Sequence, residues 1–389
     1  MVGRYSLAAA VATPLFMFAN MQLAVVQATD TERTYAFSEY RWTRCLTSTL
    51  AFLAVAIIGL LVYEGERSLA VAAFGLLRAV ESLSDVHYGL FQQRERMDLV
   101  ARSLILRGPL SLAFLALSIA ATRSVVISVA SVALASALTL LLFDRVSARS
   151  IVACQASPVS SGDPGRAGGR PVWGRLASLV GMALPLGLVM MMVSLETNVP
   201  RLIIGNRGGE GLLGVFVVVL SLAVAGGTIM GSLAQAALPR LARFYAAGQH
   251  SEFKAGLSQL LGVAGLVGLL GLAVAAVFGR EILTLIFTAE YAEHQRLLIL
   301  LMGAAAIQFV STALGAGVSA MRCFAVQLWI HVGDVVFLVP ACWVLFDRFG
   351  LLGAAWGVLA GALVLCAAYG VVTAARLRAA KTVTPEDRP

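Results

Sequence analysis

The sequence predicts an all-α polytopic membrane protein of about eleven transmembrane helices. Three observations predict it. Of the 389 residues, 59% are hydrophobic and only 13% are charged, giving a mean hydropathy of +0.86. Soluble domains carry roughly 45–50% apolar and about 25% charged residues. The apolar residues come in runs of about 20, the length that crosses a bilayer as a helix. The polar residues are clustered rather than alternating, which argues against a transmembrane β-barrel. There is too little polar surface to coat a soluble body of this size, so a cytosolic enzyme is excluded.

The apolar runs place spans near 5–26, 44–63, 68–91, 103–121, 124–142, 174–197, 211–233, 257–278, 296–317, 328–346 and 350–374. The longest polar stretch runs from Asp144 to Trp173, and its core, SPVSSGDPGRAGGRP, has linker composition without hydrophobic periodicity. It predicts an N-terminal lobe of five helices over 1–143, a linker over 144–173, a six-helix lobe over 174–375 and a tail over 376–389. Alternate loops differ in basic charge: one set holds 20 of the 29 Lys+Arg, the other 8, and Arg78 lies inside a span. The positive-inside rule puts the linker and the tail in the cytoplasm. An odd number of spans then puts Met1 outside. A cleaved signal peptide ending at Val26-Gln27-Ala28 would explain that, but the apolar stretch is over-long and carries Pro14, Asn20 and Gln22.

A weak internal repeat explains it better. Gly3-Arg4-Tyr5 matches Gly214-Val215-Phe216 at an offset of 211, and GLFQQRERM from Gly89 resembles GVSAMRCFA from Gly317 at 228. The halves read as related bundles in parallel order. The span 174–197 has no counterpart in the first half, so a partner helix is expected to be missing ahead of Met1.

The third span is the most informative. Arg78, Glu81, Asp85, Tyr88 and Gln92 fall at i, i+3, i+7, i+10 and i+14, on one helical face. Charges at a helix centre cost roughly 2.5–3.5 kcal/mol each on insertion scales, so they should face a cavity or one another. An internal Arg78–Glu81 pair with Asp85 near is the plainer alternative. In the sixth span Pro185 predicts a bend, and Glu196, Asn198 and Arg201 gather at its end. The first span carries Thr13, Asn20 and Gln27 at seven-residue steps, a stripe that lines a pathway or bonds to another helix. His331 and Asp334 read as a packing pair or a proton relay. Gly353, Gly357 and Gly361 read as close helix packing. Ala234 to His250 forms a basic amphipathic stretch expected to lie at the membrane surface against anionic lipid.

Other chemistries find no support. There is no GxxxxGK[ST], so this chain alone is not an ATP-driven pump. The five cysteines and four histidines are dispersed, without a metal-ligand spacing. No catalytic residues, metal or cofactor are predicted, and no basic-aromatic face suits nucleic acid.

The segments GRYSLAAAVATPLFMFANMQLAVVQATD, YAFSEYRWTRCLTS, RAVESLSDVHYGLFQQRERMD, LPLGLVMMMVSLETNVPR and FGLLGAAWG resemble, in order and spacing, the Wzx-type polysaccharide flippases of the multidrug/oligosaccharidyl-lipid/polysaccharide exporter superfamily. The resemblance runs from residue 3 to about 374 and begins at the family's second helix. It implies two six-helix lobes in the bacterial inner membrane, rocking to give alternating access. The implied substrate is an undecaprenyl-pyrophosphate-linked oligosaccharide used in surface polysaccharide synthesis. Membrane lipids and a polysaccharide polymerase machinery are the implied partners. Guanidinium groups suit a pyrophosphate, which makes Arg78 the first cavity candidate. Arg44 and Arg201 are placed at the mouths. Glu81, Asp85 and Asn198 complete the set, with roles from sugar binding to pairing Arg78 or accepting a coupling cation. The alternative is a cation-coupled exporter of small molecules from the same superfamily.

Overall fold

The computed structural model describes residues 2–30, 34–153, 172–287, 289–321 and 323–382. Arg33, the core of the linker, Arg322 and the last residues of the tail lie outside the described residues. Among those described there is no strand.

The chain runs α1 (Val2–Asn20), α2 (Leu23–Thr29), α3 (Phe37–Val62), α4 (Glu66–Gln93), α5 (Met97–Thr122) and α6 (Val125–Thr139). A π-helical turn (Leu140–Asp144) leads into α7 (Arg145–Ala153). Then follow α8 (Val172–Arg207), α9 (Gly209–Ala246), α10 (His250–Ile286), a 3-10 turn (Ala289–His294), α11 (Gln295–Ala320) and α12 (Phe324–Thr382). Nine helical stretches among the described residues are long and apolar enough to cross a membrane. The expected third span is α4. It is helical throughout but falls outside those nine, and its sequence is the most charged of the expected spans.

The apolar surface fits lipid. In α5 only Leu99 and Ser103 are buried, while Ile105, Leu112 and Leu117 stand out. A bare apolar face of this kind would be a liability in water. All five tryptophans, Trp42, Trp173, Trp329, Trp343 and Trp356, are exposed and lie near helix ends or bends, where indole rings anchor at the membrane interface.

Backbone contacts group the chain into two compact units, one up to Ser194 and one from Leu195 on, the division falling within α8. In the first unit, α1 and α2 are separated by Met21 and Gln22, both left-handed at φ 44° and 51°. Left-handed backbone is strained for side chains other than glycine, at about 1–3 kcal/mol each. The π turn keeps Asp144 fully buried, so this residue belongs to the helical body of the unit rather than to the linker.

In the second unit α9 and α10 are 38 and 37 residues long, well beyond the span of a bilayer. The stretch from Ala234 therefore does not form a separate surface helix. It continues α9 to Ala246 and turns at Ala247–Gln249 into α10. Leu241 and Phe253 pack there with Met321, and Leu377 packs against them. Arg240 and Arg243 remain exposed. Helix α8 passes through Pro185 and Pro200 as one continuous helix.

Helix α12 is two spans joined at Gly350, whose φ of 58° and ψ of −136° turn the chain back on itself. The glycine row makes this antiparallel packing possible. A Cβ on Gly353 would lie 1.8 Å from the Leu345 carbonyl oxygen, and one on Gly357 would lie 2.6 Å from Cys342 Sγ. Gly357→Val is therefore expected to cost about 1–3 kcal/mol through overpacking. Melting of the purified variant in detergent checks this; an unchanged melting temperature would mean the hairpin opens freely.

Candidate functional site

The break after α1 builds the centre of the first unit. A helix interrupted inside a membrane frees carbonyl groups that must find donors within the protein. The Arg44 side chain, entirely buried on α3, supplies them. Its Nη1 donates to the Asn20 main-chain oxygen at 2.9 Å and to Asn20 Oδ1 at 2.7 Å. Its Nη2 donates to Asp85 Oδ2 on α4 at 3.0 Å. Asp85 is 41% exposed, so the buried guanidinium meets solvent through its partner. The sequence placed Arg44 at a mouth; the structure places it in the interior.

Two turns earlier on α4, Arg78 Nη1 donates to Glu81 Oε2 at 2.9 Å. Arg107 of α5 approaches the other oxygen of Glu81 at 3.4 Å. All three side chains are about one-quarter exposed. Two guanidinium groups thus share one carboxylate and leave one surplus positive charge. Ser48 and Ser82 hydroxyls bond at 2.5 Å across α3 and α4. Gln27 of α2 is fully buried; with its amide O and N exchanged, the orientation its neighbours require, it donates to Val86 O at 3.1 Å and accepts from Leu90 N at 3.2 Å. Of the two roles left open for the Asn20 and Gln27 stripe, the structure gives helix-to-helix bonding.

A clasp closes the α2–α3 loop. Asp30 accepts from Thr34 N, Tyr35 N and Tyr40 Oη at 2.9, 3.2 and 3.1 Å. Gln93 Nε2 donates to the Asp30 carbonyl at 2.8 Å, and Arg175 pairs with Glu39 at 2.6 Å. Partial burial would raise the Asp30 carboxyl, but the two backbone N–H groups and the Tyr40 hydroxyl outweigh it and hold the group below its ordinary value. With the folded value depressed, its stabilisation is complete above the unfolded value of about 3.9 and is lost as pH falls through the lower folded value. Asp30→Asn should therefore flatten part of the acid limb of a melting-temperature profile below about pH 4. A profile that superposes on wild type there would remove the clasp as a source of stability.

The second unit holds a different site. His331 Nδ1 lies 2.6 Å from Glu196 Oε1, and its Nε2 lies 3.0 Å from Tyr369 Oη. The sequence paired His331 with Asp334; the structure pairs it with Glu196 of α8. Asp334 Oδ1 is buried without a hydrogen-bond partner among the described residues. Glu196 and Asp334 line a cavity of about 450 Å3 with Thr228 and Gln308, walled by Phe216 and Phe309. Asn198 and Arg201 lie in this unit too, Arg201 Nη1 donating to Asn198 Oδ1 at 3.4 Å. The structure thus groups Arg44, Arg78, Glu81 and Asp85 in the first unit and Asn198 and Arg201 in the second. Sequence reading missed Arg107 and the Glu196–His331–Tyr369 chain.

No protein-family profile matches the chain. It is 21% identical over 368 residues to the capsular polysaccharide biosynthesis protein CapF of Staphylococcus aureus, covering 95% of this chain and 89% of that protein. Among solved structures it is similar to an inward-facing multidrug resistance MATE family transporter of the MOP superfamily. The TM-score is 0.75 at 14% identity, over 99% of this chain and 96% of the other. A MATE structure in the bent conformation gives a TM-score of 0.65 at 15% identity over 96% and 85%. A variant of the MATE transporter VcmN of Vibrio cholerae gives 0.65 at 13% over 96% and 86%. The chain has the fold of the MATE transporters of the MOP superfamily, and that fold together with the CapF similarity supports the flippase-type resemblance carried by its sequence.

Proposed function

We propose that this protein is a flippase. It moves undecaprenyl-pyrophosphate-linked oligosaccharide units across the bacterial cytoplasmic membrane by alternating access, for surface polysaccharide synthesis. The lobes of this reading are residues 1–143 and 174–375, the first extended to take in Asp144, with the linker between them and the 376–389 tail cytoplasmic. The observation that carries the substrate is the pair Arg78 and Arg107 around Glu81. One carboxylate cannot neutralise two guanidinium groups, and a partly solvated surplus of positive charge suits a pyrophosphate, whose oxygens accept paired N–H donors. The similarity to CapF along nearly the whole chain supports the polysaccharide side of the reading. Glu81 is then displaced by the head group or binds its sugar hydroxyls.

The cavity in the second unit favours a second reading, cation-coupled export of small molecules. Two carboxylates beside two phenyl rings would hold a lipophilic cation. Proteoliposomes separate the two. A flippase moves a fluorescent lipid-linked oligosaccharide to the opposite leaflet and leaves small cations alone. Efflux of organic cations down an imposed ion gradient, with no lipid-linked sugar movement, would overturn the flippase reading.

A further inference from the structure

We propose that the cavity of the second unit binds a non-acidic sugar unit of the lipid-linked head group, recognised through its hydroxyl groups or a free amine. The inference rests on the flippase reading and names the part of the substrate that this cavity takes. Four helices each contribute a polar side chain: Glu196 from α8, Thr228 from α9, Gln308 from α11 and Asp334 from α12. The space they line, about 450 Å3, is within the range of small-molecule sites. Phe216 of α9 and Phe309 of α11 form apolar wall between them. Thr228 and Gln308 are exposed and mark the open side of the cavity. Asp334, Phe216 and Phe309 are buried and mark its floor.

Asp334 is the group that calls for a ligand. It is 4% exposed and lines the cavity, and its Oδ1 is buried without a hydrogen-bond partner among the described residues. A buried carboxylate oxygen without a donor is costly, so a ligand that brings a donor is favoured. His331, one turn earlier on α12, does not serve it. Both ring nitrogens are engaged, Nδ1 at 2.6 Å from Glu196 Oε1 and Nε2 at 3.0 Å from Tyr369 Oη. Among the described residues no Lys or Arg lines the cavity.

The lining chooses the class of ligand. Ionised carboxylates only accept hydrogen bonds. The Thr228 hydroxyl donates to the Val224 carbonyl oxygen at 3.3 Å, which leaves its own oxygen to accept. The cavity is therefore rich in acceptors and holds no cationic side chain. It suits a ligand with several O–H or N–H donors and repels one that carries a carboxylate or phosphate of its own. A sugar presents donors around its ring and so meets polar groups arriving from four helices. A lipophilic cation would leave the Gln308 amide and the Thr228 hydroxyl unused. The C–H face of a pyranose packs on a phenyl ring, whose face carries partial negative charge. An amine on the sugar would add a charge-assisted bond to Asp334. The pyrophosphate, being anionic, is left to the arginines of the first unit.

The test uses the full-length protein in detergent with the methyl glycosides of glucosamine, glucose and glucuronic acid, and with tetraphenylphosphonium as the lipophilic cation. Saturation-transfer NMR titrations read binding, and thermal melting reads the folding of each variant. The expected result is saturable binding of the glucosamine and glucose glycosides, the amine tighter, and none of the glucuronide. Asp334→Asn should weaken glucosamine binding by about tenfold or more, the effect of losing a hydrogen bond to a charged group. Gly227→Leu is the second variant. A Cβ at Gly227 would meet only Phe309, at 3.8 Å, so a larger side chain there extends into the cavity and should block the sugar in a folded protein. Should Asp334→Asn fail to fold, Gly227→Leu carries the test. Absence of glycoside binding would overturn the proposal, as would a glucuronide that binds as well as the glucoside. So would sugar binding kept by the folded variants, or tetraphenylphosphonium bound where no glycoside displaces it. Any of these beside intact movement of lipid-linked oligosaccharide in proteoliposomes withdraws the sugar site and leaves the flippase reading standing. Failure of that movement in the wild-type protein withdraws both.

Discussion

Arg44→Ala is expected to destabilise the protein by about 3–5 kcal/mol, the range for deleting one partner of a buried ion pair. The terms behind it differ from those of an ordinary salt bridge. Asp85 is 41% exposed, so stranding its charge costs little. The loss falls on Asn20. Its main-chain oxygen and side-chain oxygen would both lose the guanidinium donor, at about 1–3 kcal/mol for each buried unsatisfied group. The strained pair Met21–Gln22 would lose the bond that anchors it. A side chain entirely out of solvent would also leave a cavity. Arg44→Lys should recover part of the loss, since an ammonium reaches Asn20 or Asp85 but lacks the fork that serves both. Asp85→Asn should cost less than Arg44→Ala. Denaturation of the three variants in detergent gives the order, and Arg44→Ala melting with wild type would mean that the break in the first span holds itself.

How far this arrangement could be read from sequence depends on what fixes each residue. The α4 face was legible because cost dictates it: Arg78, Glu81 and Asp85 cannot all point to lipid, and their spacing leaves one face for them. The glycine row of α12 was legible for a similar reason, since only small residues allow so close an approach. Arg44 was not. It stands beside Arg41 at the start of an apolar run, as an interfacial residue would, and one of its partners is a backbone carbonyl. That carbonyl is freed by a break at Met21–Gln22, where no glycine or proline marks it, while Pro14 lies inside the unbroken α1. His331 misled through local spacing. Asp334 lies three residues away on the same helix, yet the bonded partner is Glu196, 135 positions back in the chain. Asp144 opened a polar stretch and so read as linker; the π turn that buries it has no sequence signature of its own.

Arg78→Ala is expected to abolish export of lipid-linked sugar while the protein stays inserted and folded. Arg78 is about one-quarter exposed, so its removal opens no sealed cavity. Glu81 would keep Arg107 as a partner at 3.4 Å, so no carboxylate is stranded. The stability cost should therefore stay near the 0–1 kcal/mol of a solvated ion pair. The functional cost is larger, because the surplus positive charge disappears: one guanidinium and one carboxylate remain, and a pyrophosphate would meet a neutral site. Arg78→Lys should restore export only in part, a point charge replacing a bidentate donor. Arg107→Ala should mimic Arg78→Ala, since either arginine supplies the surplus. Transport in proteoliposomes and melting in detergent must be read on the same preparations. If Arg78→Ala instead destabilises the protein and Glu81→Ala rescues it, the residues form a structural ion pair and the arginine site is withdrawn. If Arg78→Ala loses export and Arg107→Ala does not, the surplus-charge reading fails although Arg78 itself stands.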